Sequence, residues 1–240
     1  MQLYFIRHGQ SGNNLLWQRT GSSKGRSEDP ELTDVGRQQA EALAQHLRQG
    51  SSSAVVRGLD AQNLTGFGIT HLYTSLMVRA VATGTIIAQA LRLPLVAWED
   101  LHEAGGLYQE DEQTGERIGV SGKNRTFFET YFPGLVLPES LGEAGWWDRP
   151  FEEYAERPGR AQRFLRDLLE RHGDGEDRVV VVSHAGFYNY LMAIVLGLPE
   201  QDGYWFVLNN AAVTRIDFGP EGVALVYLNR VDFLPRALVT

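Results

Sequence analysis

Apolar positions along the chain follow two rhythms. Short unbroken runs, Leu3-Tyr4-Phe5-Ile6, Ile69 to Thr74 and Val179-Val180-Val181-Val182-Ser183, predict strands. The valine run is β-branched and has no polar alternation, which predicts a central parallel strand buried on both faces. Between the runs, apolar residues recur at helical spacing. Val35, Ala40, Leu43, Ala44 and Leu47 predict a helix capped by Thr33 or Asp34 and closed by Gly50. Met77, Ala80, Val81, Gly84, Ile87, Ala88 and Leu91 predict a second helix, with Arg79 one turn in. A third begins near Pro158 and turns Phe164, Leu165, Leu168 and Leu169 inward, and a fourth runs from about Tyr188 to Leu196, stopped by Gly197 and Pro199. Pro94 to Trp98, Tyr204 to Leu208, Val213 to Phe218 and Val223 to Leu228 read as extended, the last two as a hairpin across Gly219-Pro220-Glu221-Gly222.

The remaining stretches lack a period. Asn13 to Asp29 reads as a loop bordering a ligand site, and Ser51 to Gly68 as an irregular connection. Between about Gly105 and Arg149, Gly, Pro and aromatic residues mix, which suggests an inserted lid or cap. Strand, loop and helix recur in that order at least three times. The expectation is an α/β fold, a three-layer sandwich whose mostly parallel central sheet is flanked by helices, in a single domain spanning residues 1–240 with the 105–149 lid inserted in it.

Composition narrows the partners. With 240 residues and 43% hydrophobic content the chain can bury a large core. A net charge of −8 argues against a nucleic-acid or acidic-membrane binder, yet leaves room for an anionic small molecule held by a few placed cations. No segment approaches the roughly 20 apolar residues of a membrane helix, so a cytoplasmic location is the default. The chain has no cysteine, which excludes disulfides, thiolate catalysis and Cys-based zinc sites.

Polar signatures stand where strands give way to helices: Arg7-His8, then Ser75 to Arg79, then His184. In open α/β sheets ligands bind beyond the carboxyl ends of strands, so the three should converge. Two guanidiniums can fork onto phosphate oxygens and offset charge on a transferring phosphoryl group. One neutral imidazole can attack phosphorus, the second can bind equatorial oxygens, and a carboxylic acid such as Glu103 can protonate the departing alkoxide.

The residues that carry this chemistry resemble the histidine phosphatase superfamily, the phosphoglycerate mutase-like group, over most of the chain. Arg7-His8-Gly9-Gln10-Ser11 with Asn14 is similar to its opening signature, and Leu32-Thr33 with Gly36 to its first helix entry. Thr74-Ser75 with Arg79 and Thr83 resembles its second arginine block, and Ser183-His184-Ala185-Gly186 its second histidine. The resemblance implies His8 as phosphoacceptor, Glu103 as proton donor, and Arg7, Asn14, Arg79 and His184 as holders of the phosphoryl group. It also implies a small phosphomonoester as substrate, inorganic phosphate as product, no cofactor, and a homodimer as one open assembly state. Glu103 is followed by Ala104-Gly105-Gly106-Leu107 where mutases carry further cations, which favours a phosphatase. The rivals are a cofactor-dependent mutase or bisphosphatase, and a non-catalytic phosphate-ester-binding protein.

The other histidines invite structural readings. His46 and His172 fall near helix C-termini, where a cation suits the dipole, and His71 begins a strand. His102 adjoins the proposed acid, and no histidine pair has zinc-helix spacing, so no metal is expected. The aromatics Phe127, Phe128, Tyr131, Phe132 and Trp146 suit a satellite core under the insertion better than a substrate-facing lid.

Overall fold

A computed structural model describes residues 1–49, 58–111, 113–199 and 203–240. Gly50 and the first seven residues of the expected Ser51 to Gly68 connection lie outside the described residues. The main sheet has seven strands, β1 (Gln2–Arg7), β2 (His71–Thr74), β3 (Leu95–Ala97), β6 (Leu135–Val136), β7 (Arg178–Ser183), β8 (Val213–Gly219) and β9 (Gly222–Arg230), in the order β6-β3-β2-β7-β1-β8-β9. The strands from β6 to β1 pair in parallel, and β8 and β9 add an antiparallel edge.

The valine strand β7 is the middle one, and its four valines are fully buried. Because side chains alternate across a sheet, β1 and β7 each serve two cores. Leu3, Phe5, Val179 and Val181 pack with Phe164 and Leu168 of helix α5 (Arg157–His172) and with Phe187 and Leu191 of α6 (Ala185–Val195). Tyr4, Ile6, Val180 and Val182 pack with Leu43 and Leu47 of α2 (Asp34–Arg48) and with Ala80 and Ile87 of α3 (Val78–Leu91). This is the expected helix-sheet-helix sandwich.

Several boundaries differ from the sequence reading. Gly12 to Thr20 forms a helix, α1, inside the stretch read as a loop. Its apolar residues make no buried stripe, so periodicity gives no signal; a Ser11–Asn14 capping box and Gly21 at φ 64 define its ends. Tyr204 to Leu208 is not a strand. Phe206 N–H instead donates to Asn189 Oδ1 at 2.7 Å, which ties that segment to α6. Helix α6 starts three residues earlier than expected, with His184 as its N-cap, and Arg79 lies in the first turn of α3.

The 105–149 stretch contains a two-stranded hairpin, β4 (Tyr108–Glu110) with β5 (Arg117–Gly119), helix α4 (Arg125–Tyr131), and the short edge strand β6 of the main sheet. Phe128, Leu141, Trp146 and Trp147 form a third cluster with Leu76 and Met77, just before α3, and with Val81 in its first turn. Tyr131 faces solvent, at 67% exposed.

Candidate active site

Strands β2, β7 and β1 are neighbours, and each ends at the same edge of the sheet. His8 N–H donates to Ser183 O at 3.0 Å, and Ser75 N–H to Val182 O at 3.1 Å. The residues that leave the three strands are thereby laced together, and the His8 and His184 ring centroids stand 5.0 Å apart.

A hydrogen bond to a carbonyl fixes the His8 tautomer. His8 Nδ1–H donates to Gly9 O at 2.7 Å, which puts the lone pair on Nε2, where Arg79 Nε–H donates to it at 3.1 Å. Burial, with Arg79 and Arg7 nearby, holds the His8 pKa well below its ordinary value, so the ring is neutral. Ser75 Oγ accepts Met77 N–H at 3.2 Å and shares a hydrogen bond with His184 Nε2 at 3.0 Å. His184 Nδ1 is buried and has no hydrogen-bond partner among the described residues. Burial and Arg79 likewise keep His184 neutral.

Two cations face this pair. Burial pushes the Arg7 guanidinium down to about 10, partly offset by Glu103, so it remains charged at neutral pH. Arg7 Nη1 donates to Leu208 O, and its buried Nε has no hydrogen-bond partner among the described residues. Arg79 is 7% exposed. Asn14 Oδ1 accepts from Ser11 N–H and from Asn210 Nδ2, at 3.0 and 3.1 Å, which leaves its amide nitrogen as the group to meet a ligand.

Glu103 arrives from the loop after β3. Its Oε1 accepts Ala104 N–H at 2.8 Å and Phe187 N–H, in the first turn of α6, at 3.0 Å. The α6 N-terminus thus holds a carboxylate, as its dipole favours. Gly186 makes the approach feasible, because a Cβ there would lie 2.3 Å from Glu103 Oε1. The loop is clamped from behind by Arg160, which donates to the carbonyls of Asp100 and His102 at 2.7 and 2.9 Å and forks onto Glu152 at 2.5 and 2.8 Å.

Backbone crossings seat the His8 loop. A Cβ on Gly9 would meet Gly36 O at 2.4 Å, and one on Gly36 would meet Gln10 O at 2.1 Å, so the two glycines let α2 cross directly beneath the loop. Thr83 Oγ1 accepts Gly9 N–H at 3.1 Å and donates to Arg79 O at 2.8 Å, joining the loop to α3.

Three residues enter the site to which the sequence assigned no role. Ser75, part of the second polar signature, bonds to His184 Nε2, and Asn210 donates to His8 O at 3.2 Å. Asp29, from the segment between α1 and α2, accepts Val78 N–H at 3.0 Å and lies 3.8 Å from Arg79 Nη1. The strand-end position of Ser75 was a usable signal, whereas nothing local distinguishes Asn210 or Asp29. A cleft of about 480 Å³ opens between the 22–28 loop and the β4–β5 hairpin, where Arg26 lies over the Tyr108 ring at 4.2 Å.

The remaining histidines take structural places. His46 stacks on Phe233 with centroids 4.6 Å apart, and burial lowers its pKa, which corrects the helix-end cation reading. His102 Nδ1–H donates to Glu103 O at 2.9 Å, with its ring edge-on to Trp147. His71, His172 and Asp177 gather at the opposite end of the sheet. Both His172 nitrogens are engaged there, with Asp177 at 2.8 Å and the Tyr73 hydroxyl at 3.0 Å.

A parallel α/β sandwich with two histidines and two arginines at its strand ends defines a class of phosphoryl-transfer proteins. The chain belongs to the histidine phosphatase superfamily (branch 1), whose model matches residues 3–58 and 59–231. Among curated relatives, a protein named "Probable phosphoglycerate mutase GpmB" from Yersinia pestis (strain Pestoides F) is 26% identical over 228 residues, covering 91% of this chain and 85% of that one. Among solved structures, phosphoserine phosphatase from Entamoeba histolytica in complex with 3-phosphoglyceric acid aligns with TM-score 0.61 at 20% identity, over 98% of this chain and 99% of that one. The alpha-ribazole phosphatase of Shigella flexneri aligns with TM-score 0.61 at 18% identity, over 96% of both chains.

Proposed function

We propose that the protein is a metal-independent phosphomonoesterase that works through a phosphohistidine on His8. The observation that carries this reading is the Nδ1–H bond from His8 to Gly9 O, which presents a neutral ring's lone pair at Nε2 inside an arginine-lined pocket. In the first step Nε2 attacks phosphorus. The Glu103 carboxylate takes a proton from the incoming phosphate monoanion at Oε2, the oxygen that makes neither backbone bond; the N–P bond forms, the P–O bond to the leaving group breaks, and the departing alkoxide takes that proton. Arg7, Arg79, the Asn14 amide and His184 Nδ1–H bind the phosphoryl oxygens and offset their charge. In the second step Glu103 takes a proton from water, whose oxygen attacks phosphorus. The N–P bond breaks, inorganic phosphate leaves with that proton, and His8 returns neutral.

A phosphatase fits better than a mutase because the cations of the 105–149 stretch are engaged within the protein. Arg117 pairs with Glu110 at 3.3 Å, Arg125 donates to Leu141 O and Pro138 O, both at 2.8 Å, and Arg149 lies over Trp147 at 4.2 Å. A mutase has to hold a bisphosphorylated intermediate and needs free cations beyond the core pocket. The cleft beside Arg26 and Tyr108 would receive the leaving group, and phosphatases among the structural relatives support a small phosphate ester as substrate.

The test is to mix the protein with a ³²P-labelled phosphomonoester, quench in alkali and map the label. Acid-labile phosphate on His8, and its loss together with turnover in His8→Ala, is the expected result. Turnover persisting in His8→Ala would overturn the nucleophile assignment, and isomer without free phosphate would establish the mutase.

A further inference from the structure

Asp29 has no part in the reaction as derived above, yet its side chain is only 6% exposed and sits against Arg79. It belongs to the segment between α1 and α2, far from α3 in sequence, and reaches α3 by two contacts from one oxygen. Oδ1 accepts Val78 N–H at 3.0 Å and lies 3.8 Å from Arg79 Nη1. Met77, the N-cap of α3, supplies no side-chain cap bond, so Asp29 supplies that bond from outside the helix. Oδ2 is buried and has no hydrogen-bond partner among the described residues. A helix cap alone needs only one acceptor oxygen, which Asn provides as well as Asp. A buried carboxylate whose second oxygen is unpaired is costly, and that cost points to a use for the charge.

We propose that Asp29 is a positioning residue for phosphoryl transfer: its carboxylate anchors one end of the Arg79 guanidinium, so that the fork keeps its place when Nε–H gives up the His8 Nε2 lone pair to the attack and the Arg79 N–H groups face the phosphoryl oxygens. The proposal rests on the phosphoryl-transfer reading above. The anchoring is geometric. Arg79 donates from Nε to His8 at 3.1 Å and pairs at Nη1 with Asp29 at 3.8 Å, so a hydrogen bond and an ion pair hold the guanidinium at two different atoms. Without Asp29 one of these supports is gone, and the fork can turn away from the line of transfer.

The charged groups around Asp29 are Arg79 on α3, Lys123 from the segment leading to α4, and the adjacent Glu28, while Arg79 itself also feels Glu103 and Arg26. Burial outweighs the two cations and pushes the Asp29 carboxyl up to about 6. Anchoring should therefore fail on acidification through that region, as Asp29 becomes neutral.

Asp29→Asn keeps an acceptor for Val78 N–H and removes the charge, whereas Asp29→Ala removes both. The experiment compares the three proteins by thermal melting, by steady-state hydrolysis of a phosphomonoester from pH 5 to 8, and by two-dimensional NMR of the Arg79 Nε–H, assigned through Arg79→Lys. For Asp29→Asn the expected result is a melting temperature at or above wild type and kcat lowered at least 10-fold at pH 7.5. Its pH profile should lack the acid limb near pH 6, and its Arg79 Nε–H signal should no longer titrate there. A wild-type kcat and an unchanged profile in Asp29→Asn would reduce Asp29 to a helix cap and overturn the proposal. The NMR titration separates the two readings. If the wild type hydrolyses no ester while its Arg79 signal titrates with Asp29, the hydrolytic function falls and the anchoring stands; if neither occurs, the anchoring falls too.

Discussion

Replacing Gly186 with alanine tests how Glu103 is held. The new Cβ would lie 2.3 Å from Glu103 Oε1, 3.1 Å from its Cδ and 2.9 Å from the Ala104 Cβ. Ordinary contact begins near 3.4 Å, so the carboxyl must retreat by about 1 Å. The obstacle is the far end of a flexible side chain, so the carboxyl should move rather than the helix. That retreat stretches the bonds from Ala104 and Phe187 N–H, each worth about 1.5–3 kcal/mol to a charged acceptor. Against this, Ala gains about 1 kcal/mol over Gly within a helix. The net loss of stability should stay within a few kcal/mol, leaving a folded protein, while an acid displaced by this much costs on the order of 10²-fold in the step it serves. The assay is kcat/KM on an alkyl phosphate, whose alkoxide needs a proton, beside an aryl phosphate, whose phenoxide leaves unaided. Gly186→Ala should slow the alkyl ester about 100-fold and the aryl ester far less, matching Glu103→Gln. A folded Gly186→Ala with wild-type rates on both, or with both slowed equally, would refute the role assigned to Glu103.

Two further outcomes follow from buried charge. Arg160→Met strips the forked partner from Glu152, a carboxylate 7% exposed that keeps Arg157 at 3.9 Å and Gly105 N–H at 3.0 Å, and should cost about 3 kcal/mol in urea unfolding. The double variant with Glu152→Gln should recover much of that loss, and no recovery would mean that Arg160 acts through the Asp100 and His102 carbonyls instead. Stability should also fall on acidification. His8, His102 and His184 have folded pKa values well below 6.5, so below that pH the unfolded chain binds protons that the folded one refuses. Each contributes up to about 1.4 kcal/mol of lost stability per pH unit. Asp29 opposes them, because its raised pKa favours proton uptake by the folded form between about 6 and 3.8. Chemical denaturation at pH 7 and 5.5 should show a net loss of a few kcal/mol, and equal stability at both would contradict neutral burial of the three rings.

The sheet and its helices were legible because burial leaves a periodic trace. The valine strand reads as doubly buried and is the middle strand, fully enclosed. Arg7, His8, Arg79 and His184 were legible because they follow apolar strands or open helices. Helix α1 was not, since it rests on a capping box rather than on an apolar stripe. Asp29, Asn210 and Arg160 act through contacts across 49, 202 and 58 residues of chain, which no local pattern encodes. The Tyr204 to Leu208 run is as continuously apolar as a buried strand, yet Asn189 takes its backbone bond.

The pairing of β1 with β7 acts as a ruler. Arg7 stands opposite Ser183 in register, so His8 and His184 each begin one residue past the same rung. Their 5.0 Å separation is close to the spacing of hydrogen-bonded strands, about 4.8 Å. The register thus sets the two backbone points from which the imidazoles project, and Gly9 O, Arg79 and Ser75 then hold the rings. A slip of one residue would move His184 by about 3.3 Å and turn every valine of β7 to the opposite face.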